Sequence, residues 1–213
     1  AEVLAGRQPR LVALSGPNLS AEIVAGMPAA SVVASADGAA ALAAQELLSN
    51  RLFRVYTNSD IIGVELSGAM KNVIALGAGI SDGLGYGANA KAALLTRGMA
   101  EMARLGRALG ARASTFSGIA GIGDLMATCG SRLSRNYSVG CRLGQGESPE
   151  VIAGSLHNVA EGIPTTAAAR EIARTVGVEV PVTEAVYRVW YEASSPLEEV
   201  RALMARRWRA EED

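Results

Sequence analysis

The stretch from Asp60 to Ser81, DIIGVELSGAMKNVIALGAGIS, holds no proline, and after its first residue only Glu65 and Lys71 carry charge. Wound at 3.6 residues per turn, it sets Val64, Ser67, Gly68, Ile74, Ala75, Ala78 and Gly79 along the stripe that contains Lys71. Leu66, Met70, Val73, Gly77 and Ile80 cover another side. A helix apolar nearly all round must be covered on most sides, so the rest of the chain has to pack around it. Asp60 stands where an N-cap is expected. The Gly and Ala positions allow neighbouring backbones to come close, which puts Lys71 in a tight setting. An ammonium buried there is costly unless it is paired or gives up its proton more easily. Two readings stay open. Lys71 either polarises or protonates a carbonyl, or it reaches the surface or pairs with Glu65 or another core acid.

Before this helix the pattern alternates. RLVALSG reads as a strand ending at Gly16, AEIVAG as a short helix and SVVASA as a β-branched strand. DGAAALAAQELLSN reads as a helix with Asp37 near its start, and LFRVYTN as a third strand. Alternating strands and helices specify an α/β layer. Three strands are too few for a sheet covered by helices on both faces, so residues 1–58 are expected to be the end of an α/β domain that begins upstream of Ala1. From 59 to 213 the pattern is helical. NAKAALLTRGMAEMARLGRALG is amphipathic and closes on Gly110. TAAAREIARTVG is expected to be capped by Thr165 or Thr166 and closed by Gly177, with Pro181 in a turn. VTEAVYRVWYEA and PLEEVRALMARRW follow, the second opened by Pro196. The acidic Glu211–Asp213 end reads as a frayed tail.

Composition removes several function classes. The 20 Lys and Arg against 21 Asp and Glu leave a formal net charge of -1, which argues against a nucleic-acid partner. Cys129, Cys141 and a lone histidine, His157, make neither a zinc set nor a disulfide framework, and two reduced thiols are expected. No signal peptide is evident, and the strongly apolar runs fall short of a membrane span. Aromatics are only 4% of the chain; Trp190, Tyr191 and Trp208 suit either a core or a subunit interface, which leaves a homodimer open.

Two glycine clusters bear on chemistry. GYGANA, Gly85 to Ala90, fits G-x-G-x-x-A, but it follows a helix instead of a strand, so it reads as an interhelical loop and not as a dinucleotide turn. The second runs from Gly118 to Asn136, GIAGIGDLMATCGSRLSRN. Here Gly121 and Gly123 suggest a flexible turn, with Asp124 as a cap for LMATC. The polar run Ser131, Arg132, Ser134, Arg135 and Asn136 suits phosphate through guanidinium and backbone donors, or is a solvated loop.

At these residues the chain resembles the bacterial NAD(P)-dependent glycerol-3-phosphate dehydrogenases. The resemblance is carried by SGPNLSAEIVAG, ELSGAMKNVIALGAGISDGLGYGANAKAALLTRGMAEMARLG, TFSGIAGIGDLMATCGSRLSRN and NVAEGIPTTAAA, in the family's order over nearly the whole sequence. It implies the end of a Rossmann-type NAD(P)-binding domain over residues 1–58, followed by a mainly α-helical substrate-binding and catalytic domain over 59–213. The cofactor fingerprint and a second lysine are expected upstream of residue 1. The implied reaction is hydride transfer between NAD or NADP and carbon 2 of dihydroxyacetone phosphate, giving sn-glycerol 3-phosphate for glycerophospholipid synthesis in the cytoplasm. Lys71 matches the catalytic lysine. Gly16, Asn72, Asp124, Ser134, Arg135 and Asn136 match substrate positions, with Thr128 beside the phosphate. Ser20, Arg135, Val159 and Glu161 match cofactor positions. After the GP pair the family usually carries Ser or Thr, then an aromatic and Ala; Asn18, Leu19 and Ser20 stand there instead, and Asn18 can still donate a hydrogen bond. Two alternatives stand beside this: an inactive helical module that binds phosphate or other subunits, and a ketopantoate or hydroxyacid reductase, which is not expected to carry the SRN segment.

Overall fold

The computed structural model describes residues 10–156, 160–207 and 210. Cys129 and Cys141 are both free thiols, and Glu211–Asp213, Trp208 and His157 lie outside the described residues. The chain packs as two compact units. One comprises Ala1–Gly68 and Met102–Ala127, the other Ala69–Glu101 and Thr128–Asp213.

In the first unit three strands form one sheet in the order β1–β2–β3: β1 (Ala13–Ser15), β2 (Ala29–Ala34) and β3 (Phe53–Asn58). β1 runs antiparallel to β2, with Ser15 opposite Val32. β2 runs parallel to β3, with Ala29 opposite Phe53 and Ala34 opposite Asn58. Helix α1 (Ser20–Val24) links the first pair and α2 (Gly38–Leu48) the second. Asp37 caps α2 as expected, accepting from the Ala39 and Ala40 N–H groups at 2.9 and 3.2 Å.

Helix α3 (Ile61–Gly83) begins after Asp60, whose carboxylate accepts the Gly63 N–H at 2.9 Å. The other carboxylate oxygen takes the Arg112 N–H at 2.8 Å and the Thr115 hydroxyl at 2.6 Å, so one buried side chain ends two helices, α3 and the single turn α5 (Ala113–Phe116). Around the start of α3, Val32, Ala34, Val64 and Ala120 form a core to which Ile61 and Ile119 add. By length and composition α3 is apolar enough to cross a membrane, yet most of it is buried inside the protein. Helix α4 (Ala88–Ala108) follows and ends at Gly110, whose positive φ of 89° closes it as the sequence suggested. Of the GYGANA segment, residues 85–87 lie between α3 and α4 while Ala88, Asn89 and Ala90 are the first turn of α4, so it follows a helix and not a strand.

Residues Ile119–Gly123 are not a loose turn. They form a π-helical turn that runs straight into α6 (Asp124–Gly130). Asp124 therefore has helical dihedrals (φ -71°, ψ -35°) and is not the cap of LMATC. In the second unit, α7 (Arg135–Gly144) and α8 (Pro149–Ser155) precede α9 (Gly162–Thr175), α10 (Pro181–Tyr191) and α11 (Pro196–Met204). Thr165 and Thr166 are inside α9 and bond back to the carbonyls of Glu161 and Gly162, four residues earlier, instead of capping. Pro181 is the first residue of α10 and not a turn residue. Its helix is capped from a distance by Glu101, 1% exposed, which accepts the Val182 and Thr183 N–H groups at 2.7 and 3.0 Å.

Candidate functional site

The first unit places Gly16 immediately after β1 with φ 148°. A Cβ there would lie 2.8 Å from the Ser31 Cα, so the turn needs glycine for both its dihedral and its closeness to β2. Asn18 is half-buried in the following loop and Ser20 is exposed at the start of α1. Asp124 is 2% exposed, with the Ser15 hydroxyl 3.5 Å from its carboxylate. Ser15 was not singled out from the sequence, and a serine before a GP turn carries no signal there.

The second unit holds the lysine and the polar run. Lys71 is half-buried on α3 and is followed by an unbroken buried run from Asn72 to Ser81. Thr128 is buried near the end of α6. Ser134 is the N-cap of α7, its hydroxyl accepting the Tyr137 N–H at 3.3 Å, so Arg135, Asn136 and Tyr137 make the helix's first turn. Arg135 is exposed and Asn136 buried. The polar run read from the sequence is thus a helix start, with the positive end of the dipole and a guanidinium at one place.

One contact joins that turn to the lysine helix. The Asn136 amide donates to the Asn72 side-chain oxygen at 3.0 Å, and its own oxygen accepts the Gly162 N–H at 2.8 Å. Asn72 is Lys71's neighbour, and Glu161 is exposed at the foot of α9. Gly162 was not anticipated: a Cβ there would stand 2.6 Å from the Asn72 carbonyl and 2.8 Å from the Asn136 side-chain oxygen. Its glycine was visible in the sequence, but not the close approach that requires it. Val159 lies outside the described residues.

The α3–α7 crossing is set by backbone contact. A Cβ on Gly79 would strike the Tyr137 carbonyl and lie 2.9 Å from the Gly140 Cα. One on Gly83 would lie 2.9 Å from the Gly144 Cα. Beside this crossing, Asp82 accepts from Tyr137 Oη at 2.6 Å and Lys91 Nζ at 2.7 Å. Burial pushes the Asp82 carboxyl up, but those two donors outweigh it and hold it below the usual carboxylate range. The bond to Asp82, then burial, raises the Tyr137 phenol well above its ordinary value.

A three-stranded α/β layer followed by helices, with the lysine helix hydrogen-bonded to an Arg-bearing helix start, is the arrangement these residues build. Residues 60–201 match the family described as NAD-dependent glycerol-3-phosphate dehydrogenase C-terminus. The chain is 55% identical over 202 residues to the glycerol-3-phosphate dehydrogenase (NAD(P)+) of Gloeobacter violaceus, covering 95% of this chain and 66% of that one. It is 52% identical over 205 residues to the protein of the same name from Symbiobacterium thermophilum, covering 96% and 60%. The crystal structure of the glycerol-3-phosphate dehydrogenase from Coxiella burnetii superposes with a TM-score of 0.90 at 39% identity, over 93% of this chain and 61% of that one. The yeast enzyme's structure gives 0.78 at 29% identity, over 88% and 57%. The chain thus spans about two thirds or less of these relatives' length. It belongs to the NAD-dependent glycerol-3-phosphate dehydrogenase family, and the ketopantoate or hydroxyacid reductase alternative falls away.

Proposed function

We propose that this chain carries the substrate half of an enzyme interconverting sn-glycerol 3-phosphate and dihydroxyacetone phosphate with NAD or NADP. The relatives' names support the reaction and the cofactor class. The observation that carries the reading is the Asn136–Asn72 hydrogen bond, which ties the phosphate-suited helix start to Lys71's helix. The roles are those the resemblance implies, and the chemistry of the side chains supports them. The Arg135 guanidinium, the Arg135 and Asn136 backbone N–H groups and the Ser134 O–H take the phosphate oxygens. Lys71 gives a proton to the oxygen on carbon 2 as that carbon is reduced, and takes it back in oxidation. Nicotinamide supplies or accepts the hydride at carbon 2. Gly16, Asn18, Asn72, Asp124 and Thr128 are assigned to substrate by the resemblance, and Ser20, Arg135, Val159 and Glu161 to the cofactor side. In this reading residues 1–58 belong to the nucleotide-binding domain and 59–213 to the substrate domain. The enzyme works in the cytoplasm, supplies glycerophospholipid synthesis and pairs as a homodimer.

The test is Lys71→Ala in a form of the protein extended to its relatives' length. Turnover should vanish while dihydroxyacetone phosphate still binds in a calorimetric titration. Near-normal turnover would strip Lys71 of this role. A second reading, a phosphate-binding module without catalysis, is favoured by one feature: among the described residues no strand leads through a glycine turn into a helix start suited to a pyrophosphate.

A further inference from the structure

We infer that Tyr137, Asp82 and Lys91 form a lock that positions the Ser134–Arg135–Asn136 turn for a phosphate ester, with Tyr137 as the positioning residue. The inference rests on the phosphate reading above and deepens it. Tyr137 is the third residue of α7, and the Ser134 cap already holds its backbone N–H. Its hydroxyl crosses to the end of α3, where it donates to Asp82 Oδ2 at 2.6 Å. Lys91, in the first turn of α4, donates to the same oxygen at 2.7 Å and sets its ammonium 4.8 Å from the centre of the Tyr137 ring. Three elements therefore meet on one carboxylate oxygen, and the Asp82 and Lys91 side chains are only a quarter exposed.

The need for such a lock follows from how α7 is seated. Its middle and its C-terminal end touch α3 through Gly140 and Gly144, where backbone meets backbone. Glycine contacts fix how close two helices lie, but they offer no side chain to resist rotation or tilt. The end that carries Arg135 must be pinned otherwise. Asn136 pins it toward Asn72 and Gly162. Tyr137, the next residue round the helix, pins it toward Asp82. With the carboxyl held down and the phenol held up, Asp82 and Tyr137 remain a carboxylate and a neutral phenol across the neutral range. An arginine on an unpinned turn would sample many orientations and lose affinity for a planar, bidentate partner.

The experiment is isothermal titration of the 213-residue chain with inorganic phosphate and with sn-glycerol 3-phosphate, well below its thermal transition. Tyr137→Phe keeps the ring over Lys91 and removes one oxygen; Asp82→Asn keeps the shape and removes the charge. Each should raise both dissociation constants about tenfold with the chain still folded, whereas Lys91→Arg, which preserves the cation, should stay within about twofold of the unsubstituted chain. A purely structural role would shift the melting temperature and leave these constants alone. Should Asp82→Asn fail to fold, Tyr137→Phe carries the test by itself. Arg135→Ala separates the two ideas. If it abolishes anion binding while Tyr137→Phe binds within twofold of normal, the lock is wrong and the phosphate reading stands. If Arg135→Ala binds normally, or the unsubstituted chain takes up neither anion, the phosphate reading fails and the lock with it.

Discussion

Asp60 shows what a single side chain does here. Burial pushes its carboxyl up, but the Thr115 hydroxyl and the Gly63 and Arg112 N–H groups more than offset this, so it sits below its ordinary value of 3.8. A carboxyl with a depressed folded pKa gives stability that is complete above the unfolded value and is lost as pH falls through the folded one. Asp60 therefore stabilises the chain fully above about pH 4 and progressively less below it. Asp60→Asn should cost about 3 kcal/mol at pH 7, since it leaves donors at two helix starts poorly matched. It should also flatten the acid limb of a stability–pH curve from urea melts below about pH 4. An unchanged acid limb would mean that other carboxylates set it. The role of Asp60 at α3 was legible because a cap and its helix are neighbours in sequence. Its reach to Arg112 and Thr115 was not, because nothing local marks a contact made over such a separation. Asp124 is the opposite case: an Asp before an apolar run imitates a cap, and the π-turn ahead of it had already started the helix.

The elements divide in the same way. β2, β3, α2, α3 and α4 were legible because period, cap and stop signal agree in each. α7 and α8 were hidden by Gly, Ser and Arg, which weaken a 3.6-residue apolar pattern. α9 begins at Gly162, earlier than the threonines expected to cap it, because its first turn is set by contact with Asn72 and Asn136. Pro181 opens a helix because a carboxylate from α4 completes its end. Between α3 and α7 the glycines carry the packing, which gives a sharp expectation. Gly140→Ala adds a methyl that strikes the Leu76 carbonyl and lies 2.9 Å from the Gly79 Cα, backbone that cannot turn aside. The helices must separate, at about 3 kcal/mol or more by thermal or urea denaturation. Gly146→Ala tests the other reason for glycine: nothing crowds its Cβ, and φ is 94°. Its cost should come from dihedral strain alone, about 1 kcal/mol. Equal losses at the two sites would contradict the close-crossing account.

At the scale of the whole chain the question is what this polypeptide binds unaided. Its sheet has three strands among the described residues, and each is followed by a helix, which gives three strand–helix turns to test as pyrophosphate sites. Two are already filled: the start of α2 by the Asp37 carboxylate, and that of α3 by Asp60. A dianion brought to either would meet a negative charge and find first-turn N–H groups already engaged. The third precedes α1, five residues long, with Leu19 at the cap position and Glu22 in its first turn. A helix that short has little dipole to offer, and the glutamate opposes it. The spacing G-x-G-x-x-A occurs only where α3 gives way to α4, away from any strand. The chain by itself should therefore bind NADH no more tightly than about 1 mM, with a fluorescence titration failing to saturate below that. Inorganic phosphate and sn-glycerol 3-phosphate should bind, and Arg135→Ala should remove them. Saturable NADH binding in the micromolar range would require a dinucleotide cradle built from something other than these three turns, and would overturn the expectation that the chain alone binds the cofactor weakly.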